Sequence, residues 1–502
     1  MSVAAESQPR PTFVRLAEEW KTNTSVLQKA YSYDDILLEP QFSPLGSVDE
    51  VSTATELVRG FPLAIPIVSA NMDSVTEARM GIFMARVGGI GIIHRTMSID
   101  TQVDQIRAVK DAAKYVVQDP PFLHPNDSVA KAREVMAERR RGYVLVIDEH
   151  SGELMGLAST RDVGRMAPAD AFLQNVMKTR DKLIVAPPGI GIEEAQQLMW
   201  DGRVEKLPLV DSEGVVHGVI TESDINFQSQ YPNATKDEKG RLRVGAAVGI
   251  QADAIERAQA LIEAGVDILV VDVLHGDSQG VINMVRNLKK LSPSVPVMAG
   301  NVATPHATRR LIDVGVDSVK VGYGPGALCT TQRETGTGSQ QFSAVVRSAA
   351  EAYGSGVTIN ADGGIRTGGD LVKAMTAADH VMIGTALAGT DESPGDVRFD
   401  DETGDRYKDV RGMASEDAQR DLAAARGGKA KKRSPQGVKA KVVYDGPAEP
   451  IVDRFIDGLK HGMANTGSLN LDEFRMNVVY SEQTSSGSRE GNPHVRINAR
   501  RR

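Results

Sequence analysis

The sequence predicts an α/β chain whose main body is a closed (β/α)8 barrel carrying an inserted, duplicated module. Three observations lead there. Eight short apolar runs alternate with amphipathic stretches. One interval between runs is far longer than a single helix needs and holds an internal repeat. The ends of three consecutive runs carry glycine-rich loops, one of which contains Cys329, the only cysteine among the 502 residues. Eight alternating strand–helix units are the pattern of a parallel barrel with its helices outside. A doubly wound open sheet is the alternative that the same alternation allows.

The runs span residues 66–73, 88–94, 244–249, 266–272, 295–300, 316–321, 357–361 and 380–384. Each is short and built around Val, Ile, Met, Ala or Gly, as a strand buried on both faces favours, with polar residues most frequent in 316–321. Residues 252–264 and 304–314 show the amphipathic spacing expected of the intervening helices. Composition agrees with a soluble protein that buries a large core: 41% hydrophobic and 25% charged residues. A net charge of −8 argues against a general attraction to nucleic acid. No apolar run approaches the ~18 residues needed to cross a bilayer. Residues 1–11 contain no apolar segment of the secretory kind, and with one cysteine the expectation is a cytoplasmic protein.

The strand spacing breaks once, between His94 and Val244. There Gly142-Tyr-Val-Leu-Val-Ile-Asp148 and Gly156-Leu-Ala-Ser-Thr-Arg-Asp162 are echoed by Lys206-Leu-Pro-Leu-Val-Asp211 and Gly218-Val-Ile-Thr-Glu-Ser-Asp224. Self-similarity over roughly 60 residues marks a duplicated module. It resembles a tandem pair of cystathionine-β-synthase-type (CBS) modules, a resemblance that implies purine nucleotide binding, ATP or GTP, at Ser159, Asp162, Thr221 and Asp224. The plain alternative is that these residues cap turns. The expected organisation is barrel strands one and two in residues 1–117, regulatory CBS modules in 118–227, and strands three to eight with the cysteine loop and a flap in 228–480. A disordered tail is expected over 481–502, where periodicity is lost.

In a parallel barrel the loops after the strands share one face, and those after strands seven and eight often hold phosphate. Here they are Asp362-Gly-Gly-Ile-Arg366 and Gly384-Thr-Ala-Leu-Ala-Gly389. Backbone amides without side chains suit a phosphate at Gly363, Gly364, Gly384 and Thr385, and Asp362 suits ribose hydroxyls. Strand four ends in Asp272, a second carboxylate at the same face. His275 has no second His or Cys at ligand spacing, so a zinc-type site is not expected. A lone cysteine is more often a small core residue than a reactive one. Cys329, though, stands among glycine and threonine in Gly322-Tyr-Gly-Pro-Gly-Ala-Leu-Cys-Thr-Thr331.

Over residues 28–476 the chain resembles the IMP dehydrogenase/GMP reductase family. The resemblance rests on Tyr33-Asp-Asp-Ile-Leu-Leu38, Ala70-Asn-Met-Asp73, Gly88-Gly-Ile-Gly91, Gly324-Pro-Gly-Ala-Leu-Cys-Thr-Thr331, Ala361-Asp-Gly-Gly364 and Arg411-Gly-Met-Ala-Ser415. It implies that Cys329 attacks C2 of a purine monophosphate and that a nicotinamide cofactor exchanges hydride at that carbon. It also implies substrate contacts at Asn71, Met413, Ala414 and Ser415, and cofactor contacts at Asp272, Ser278, Gly322 and Gly324. A K⁺ ion on the backbone carbonyls of Gly324, Gly326 and Cys329, and assembly as a homotetramer or homo-octamer, follow from the resemblance alone.

Dehydrogenases of the family resemble one another in an Arg-Tyr pair on the flap, which activates water. Residues 416–441 contain no tyrosine, and Arg406-Tyr407 precedes the Arg411 motif. The expectation is therefore NADPH-dependent reduction of GMP to IMP and ammonia, with Thr331 relaying a proton and Gln436 beside the base. Oxidation of IMP with NAD⁺ to XMP is the alternative, and a non-catalytic nucleotide sensor a further one. The departures are Gln436 where reductases carry Glu, Ala327 where a Ser contacts phosphate, and Val410 where a Tyr does. Lys408 and Arg411 are candidates to compensate.

Overall fold

The computed structural model describes residues 10–22, 28–112, 117, 120–139, 141–164, 166–222, 225, 230–425, 428 and 434–491. Eight parallel strands close a barrel: β1 (Ile67–Ser69), β2 (Ile90–Ile93), β3 (Gly245–Val248), β4 (Ile268–Asp272), β5 (Val297–Val302), β6 (Ser318–Val321), β7 (Thr358–Asp362) and β8 (His380–Ile383). β8 pairs with β1 through Val381 and Ile67, and β2 pairs with β3 through Ile92 and Gly245, so the sheet closes despite the insert. All eight apolar runs are barrel strands, and the open-sheet alternative is excluded.

Apolar side chains fill the barrel, which is why the runs lack polar alternation. Val68, Ile90, Ile92, Ile268, Val270, Met298 and Met382 form one buried cluster with Leu57, Val58, Phe61 and Leu63. The last four come from around the small hairpin Thr55–Glu56/Pro62–Leu63, and the Arg243 guanidinium lies over the Phe61 ring at 4.1 Å. Each fully buried side chain of this size stabilises the fold by roughly 1.5–3 kcal/mol. At the start of β8, buried His380 shares Nε2 with the Leu57 carbonyl at 2.8 Å, and its Nδ1 lies 2.7 Å from Asn360 Nδ2. Burial pushes the imidazole pKa down to about 4.

Contacts divide the chain into two compact units, Met1–Ala112 with Asn233–Arg502, and Ala113–Pro232. Within the second unit, helix Val129–Glu138 precedes antiparallel strands Tyr143–Ile147 and Leu154–Ser159. Helix Ile192–Gly202 precedes strands Lys206–Val210 and Val216–Thr221 in the same way. Each copy has its own core, one around Val144 and Ala158 and one around Leu207 and Ile220. A third cluster joins Tyr143 and Leu157 of the first copy to Val210 and Val219 of the second.

The disordered tail expected from Ser481 needs correcting. Tyr480–Glu482 pairs antiparallel with Ile36–Leu38, half-buried Tyr480 meets the Phe342 ring edge-on at 5.4 Å, and Ser485–Glu490 is helical. The partner strand lies at the other end of the sequence, so local periodicity gave no sign of it. Residues 492–502 lie outside the described residues.

Candidate active site

The C-terminal ends of the strands surround one cavity of about 500 Å³. β6 delivers the chain into the cysteine loop. At its start a Cβ on Gly322 would run into the Asp362 carbonyl oxygen, so only glycine lets β6 and β7 approach this closely. Gly324 holds φ at +89°, and the Gly326 carbonyl accepts the Cys329 amide at 3.0 Å. The loop ends in the short helix Thr331–Thr335.

Two further segments fasten this loop. Leu328 O accepts from the Val438 amide and Gln436 O from the Thr330 amide, each at 3.0 Å. Gly412 N donates to Val438 O at 3.0 Å, and Gln436 N to Ala414 O at 3.1 Å. The Arg411-Gly-Met-Ala-Ser415 and Ser434-Pro-Gln-Gly-Val438 segments thus lie along the cysteine loop, bringing Met413, Ala414 and Gln436 to the cavity wall.

Cys329 Sγ lies 3.1 Å from Thr331 Oγ1, and Thr331 is buried. Gln436 Oε1 is buried without a partner among the described residues, an acceptor left for a ligand's N–H. Asn71, Asp272, Gly322, Gly324, Gly326, Asp362, Gly363, Gly364, Gly384 and Thr385 line the same cavity. Ser278 and Ser415 do not. Ser278 starts the helix Gln279–Leu291 and its amide donates to Gly276 O. Ser415 is buried as the N-cap of Glu416–Ala424, accepting the Ala418 amide.

The cavity floor is a charged network that the sequence reading did not single out. Buried Lys320 donates to Asp272 Oδ1 at 2.8 Å, Asp362 Oδ2 at 2.6 Å and Asn301 Oδ1 at 3.0 Å. Burial works against ionised Asp272, yet the Lys320 ammonium, with Arg95 and Asn71, holds its pKa below the usual range. For Lys320 burial opposes the charge, and the two carboxylates outweigh it and raise its pKa.

The two cations suggested to replace missing phosphate contacts are committed elsewhere. Lys408 is buried and donates to Thr390 O, Ser393 O and Ser393 Oγ at 2.8, 2.8 and 3.0 Å. Arg411 pairs with Asp73 and Asp421 at 2.6 and 2.7 Å. Arg366, at the cavity edge, is held by Asp34 and Asp370. Val410 is buried in the strand Arg406–Arg411, while Ala327 lines the cavity. Tyr407 packs against Lys441 on an outer sheet and is not part of the wall. The flap expected over 416–441 is a helix and a strand in its described parts; residues 426–427 and 429–433 lie outside the description.

The donor set fits a nicotinamide riboside. Asp272 can accept sugar hydroxyls, and Gly322 and Gly324 offer backbone without side chains beside Cys329. Among the described residues no group of three His, Cys, Asp or Glu could hold a metal ion. For K⁺, a hard cation that takes oxygen ligands, the Gly326 carbonyl is turned to the Cys329 amide and keeps one lone pair. In the second unit, Ser159 donates through N and Oγ to Asp162 Oδ2 at 2.7 and 2.6 Å, a turn cap in this structure. Thr221 is buried at the end of its strand, and Asp224 lies outside the described residues. No helix among the described residues is long and apolar enough to cross a membrane.

Comparisons with known proteins agree on the family and divide between its two activities. A family model described as "IMP dehydrogenase / GMP reductase domain" matches residues 30–494. Inosine-5'-monophosphate dehydrogenases from Halalkalibacterium halodurans and Aquifex aeolicus are 41% and 42% identical to the chain, each covering 93% of it and 96% of the relative. Among solved structures, a Cys-to-Ala variant of GMP reductase from Trypanosoma brucei in complex with guanosine 5'-monophosphate matches with a TM-score of 0.88 and 38% identity, over 94% of this chain and 98% of that one. The same enzyme in complex with guanosine 5'-triphosphate matches at 0.78 and 35%, over 92% and 100%.

Proposed function

The chain belongs to the IMP dehydrogenase/GMP reductase family, oxidoreductases that use a nicotinamide cofactor, and within it we propose that it is a GMP reductase. The observation that carries the reading is the Cys329–Thr331 contact of 3.1 Å in a cavity to which Tyr407 does not contribute and whose flap has no tyrosine. The first half of a reductive deamination needs a nucleophile and a hydroxyl that passes a proton to the leaving amine. An oxidation completed by hydrolysis needs in addition a positioned base for water.

In this reading Cys329 Sγ bonds to C2 of GMP. The exocyclic nitrogen leaves as ammonia, its proton arriving through Thr331 Oγ1. C2 would then take up a hydride from NADPH, which Asp272, Gly322 and Gly324 would hold beside Cys329. The C–S bond then breaks, its electron pair returns to sulfur, and IMP departs. Gln436 Oε1 accepts from the purine N1–H, Asp362 and Asn71 hold the sugar side, and Met413 and Ala414 flank the base. Backbone amides at Gly363, Gly364, Gly384 and Thr385 meet the phosphate, whose neighbouring cations are already paired. Asp272, Gly322 and Gly324 line the nicotinamide side, and a K⁺ on the cysteine-loop carbonyls would stiffen that loop.

IMP dehydrogenation is the second reading, favoured by Gln436 and by dehydrogenase relatives at about 40% identity. Loss of reduced-nicotinamide absorbance with GMP and NADPH, and none gained with IMP and NAD⁺, supports reduction; the reverse pattern supports dehydrogenation. The duplicated second unit is read as a CBS pair that binds ATP or GTP near Ser159, Asp162, Thr221 and Asp224 and regulates turnover. Its support is the two α–β–β copies with separate cores. Saturable calorimetric binding of either nucleotide to the Cys329→Ala chain, undisturbed by GMP, is the expected result.

A further inference from the structure

We infer that Lys320 is a positioning residue, a shared counter-ion that holds Asp272 and Asp362 as hydrogen-bond acceptors and so couples the purine and nicotinamide halves of the cavity. The inference rests on the reading of those two carboxylates as sugar-binding groups.

A lysine in the middle of a barrel strand is costly unless its charge is met. Lys320 is 4% exposed. An ammonium has three donors, and here three acceptors take them: Asp272 on β4, Asn301 on β5 and Asp362 on β7. Asn301 Nδ2 also donates to Asp362 Oδ2 at 2.7 Å, closing the ring. With every proton engaged, Lys320 has none to give a substrate. It acts through the carboxylates. Each spends one oxygen on the ammonium, and among the described residues no hydrogen bond reaches Asp362 Oδ1, which is left for the cavity.

One cation therefore sets the charge at both half-sites. The other groups facing the network are Asn71 and Arg95, both on Asp272, with Arg95 Nη2 3.4 Å from the Asp272 carbonyl oxygen. Without Lys320, two half-buried carboxylates share one site with no cation between them and one takes up a proton, as paired carboxylates do. Arg95 stays with Asp272, so the proton goes to Asp362 and the purine half-site becomes pH-sensitive.

The test is calorimetric GMP binding to the full chain and to Lys320→Met between about pH 5.5 and about pH 8.5. Because the ligand phosphate titrates near pH 6, the quantity read is the ratio of variant to wild-type Kd at each pH. The ratio is expected to grow about tenfold or more from the alkaline to the acid end. In the double variant Lys320→Met/Asp272→Asn, which removes one charge of each sign, the ratio flattens. A flat ratio in Lys320→Met, or an equal slope in the double variant, overturns the inference. If Lys320→Met does not fold, Lys320→Gln carries the same expectation, since the charge and not the hydrogen bond is at issue. A wild type that binds neither GMP nor IMP overturns instead the reading of the cavity, and the inference with it.

Discussion

The Cys329 thiol lies 3.1 Å from the Thr331 hydroxyl, two residues on in the sequence and across the turn from loop to helix. The pair exists because the 436–438 segment clamps the loop through the Leu328 carbonyl and the Thr330 amide. Nucleophile and proton relay are thus set by the same backbone. Cys329→Ala is expected to abolish turnover while GMP still binds. Thr331→Ala is expected to lower kcat by roughly 10²–10⁴ with Kd for GMP within about threefold of wild type. Rapid-quench kinetics and calorimetry on both variants check this; near-normal turnover in Cys329→Ala contradicts it.

Gln436 Oε1 is the buried acceptor on the cavity wall. In Gln436→Glu a carboxyl replaces it in a desolvated place, where its pKa rises toward neutrality. The variant's kcat for GMP reduction is expected to gain a pH dependence that wild type lacks, because the carboxyl can pass a proton and the amide cannot. A pH–rate profile parallel to wild type refutes a role for this side chain beside the leaving group.

Lys408 was a candidate phosphate ligand, and the structure gives it a different role. Its ammonium serves two carbonyls and a hydroxyl inside the protein. Lys408→Met leaves those acceptors unmatched and is expected to lower stability by about 1–3 kcal/mol. KM for GMP should stay within about threefold of wild type. Denaturant titration and steady-state kinetics separate the two effects, and a large rise in KM without loss of stability restores the phosphate role.

How much of this was legible in the sequence follows from how local each signal is. The barrel strands were legible because strands buried on both faces are mostly apolar, whatever their neighbours. The cysteine loop was legible because glycine, proline and threonine have few other reasons to cluster around a lone thiol. Lys320 was not, since Val316-Asp-Ser-Val-Lys-Val321 reads as a short strand in which Lys320 is one of three polar residues, with nothing to set it apart from Asp317 and Ser318. Only the closed sheet brings Asp272 and Asp362 to its ammonium. The pairing of Tyr480–Glu482 with Ile36–Leu38 could be found only in three dimensions.

His380 gives the fold a pH limit. Its folded pKa, about 4, lies below its usual value of 6.5. The unfolded chain therefore binds a proton that the folded one refuses as pH falls below 6.5, and stability declines from there down to about pH 4. This group alone accounts for a few kcal/mol by linkage. Denaturant midpoints measured across that range should fall for wild type and fall less for His380→Gln relative to its own neutral-pH value. Parallel curves contradict the assignment.

The most direct measurement mixes the purified chain with GMP and NADPH and follows reduced-nicotinamide absorbance while nucleotides are separated by chromatography. The account predicts that absorbance falls as IMP and ammonia accumulate in equal amounts, and that IMP with NAD⁺ gives no XMP. Formation of XMP from IMP and NAD⁺, with GMP left untouched, contradicts it.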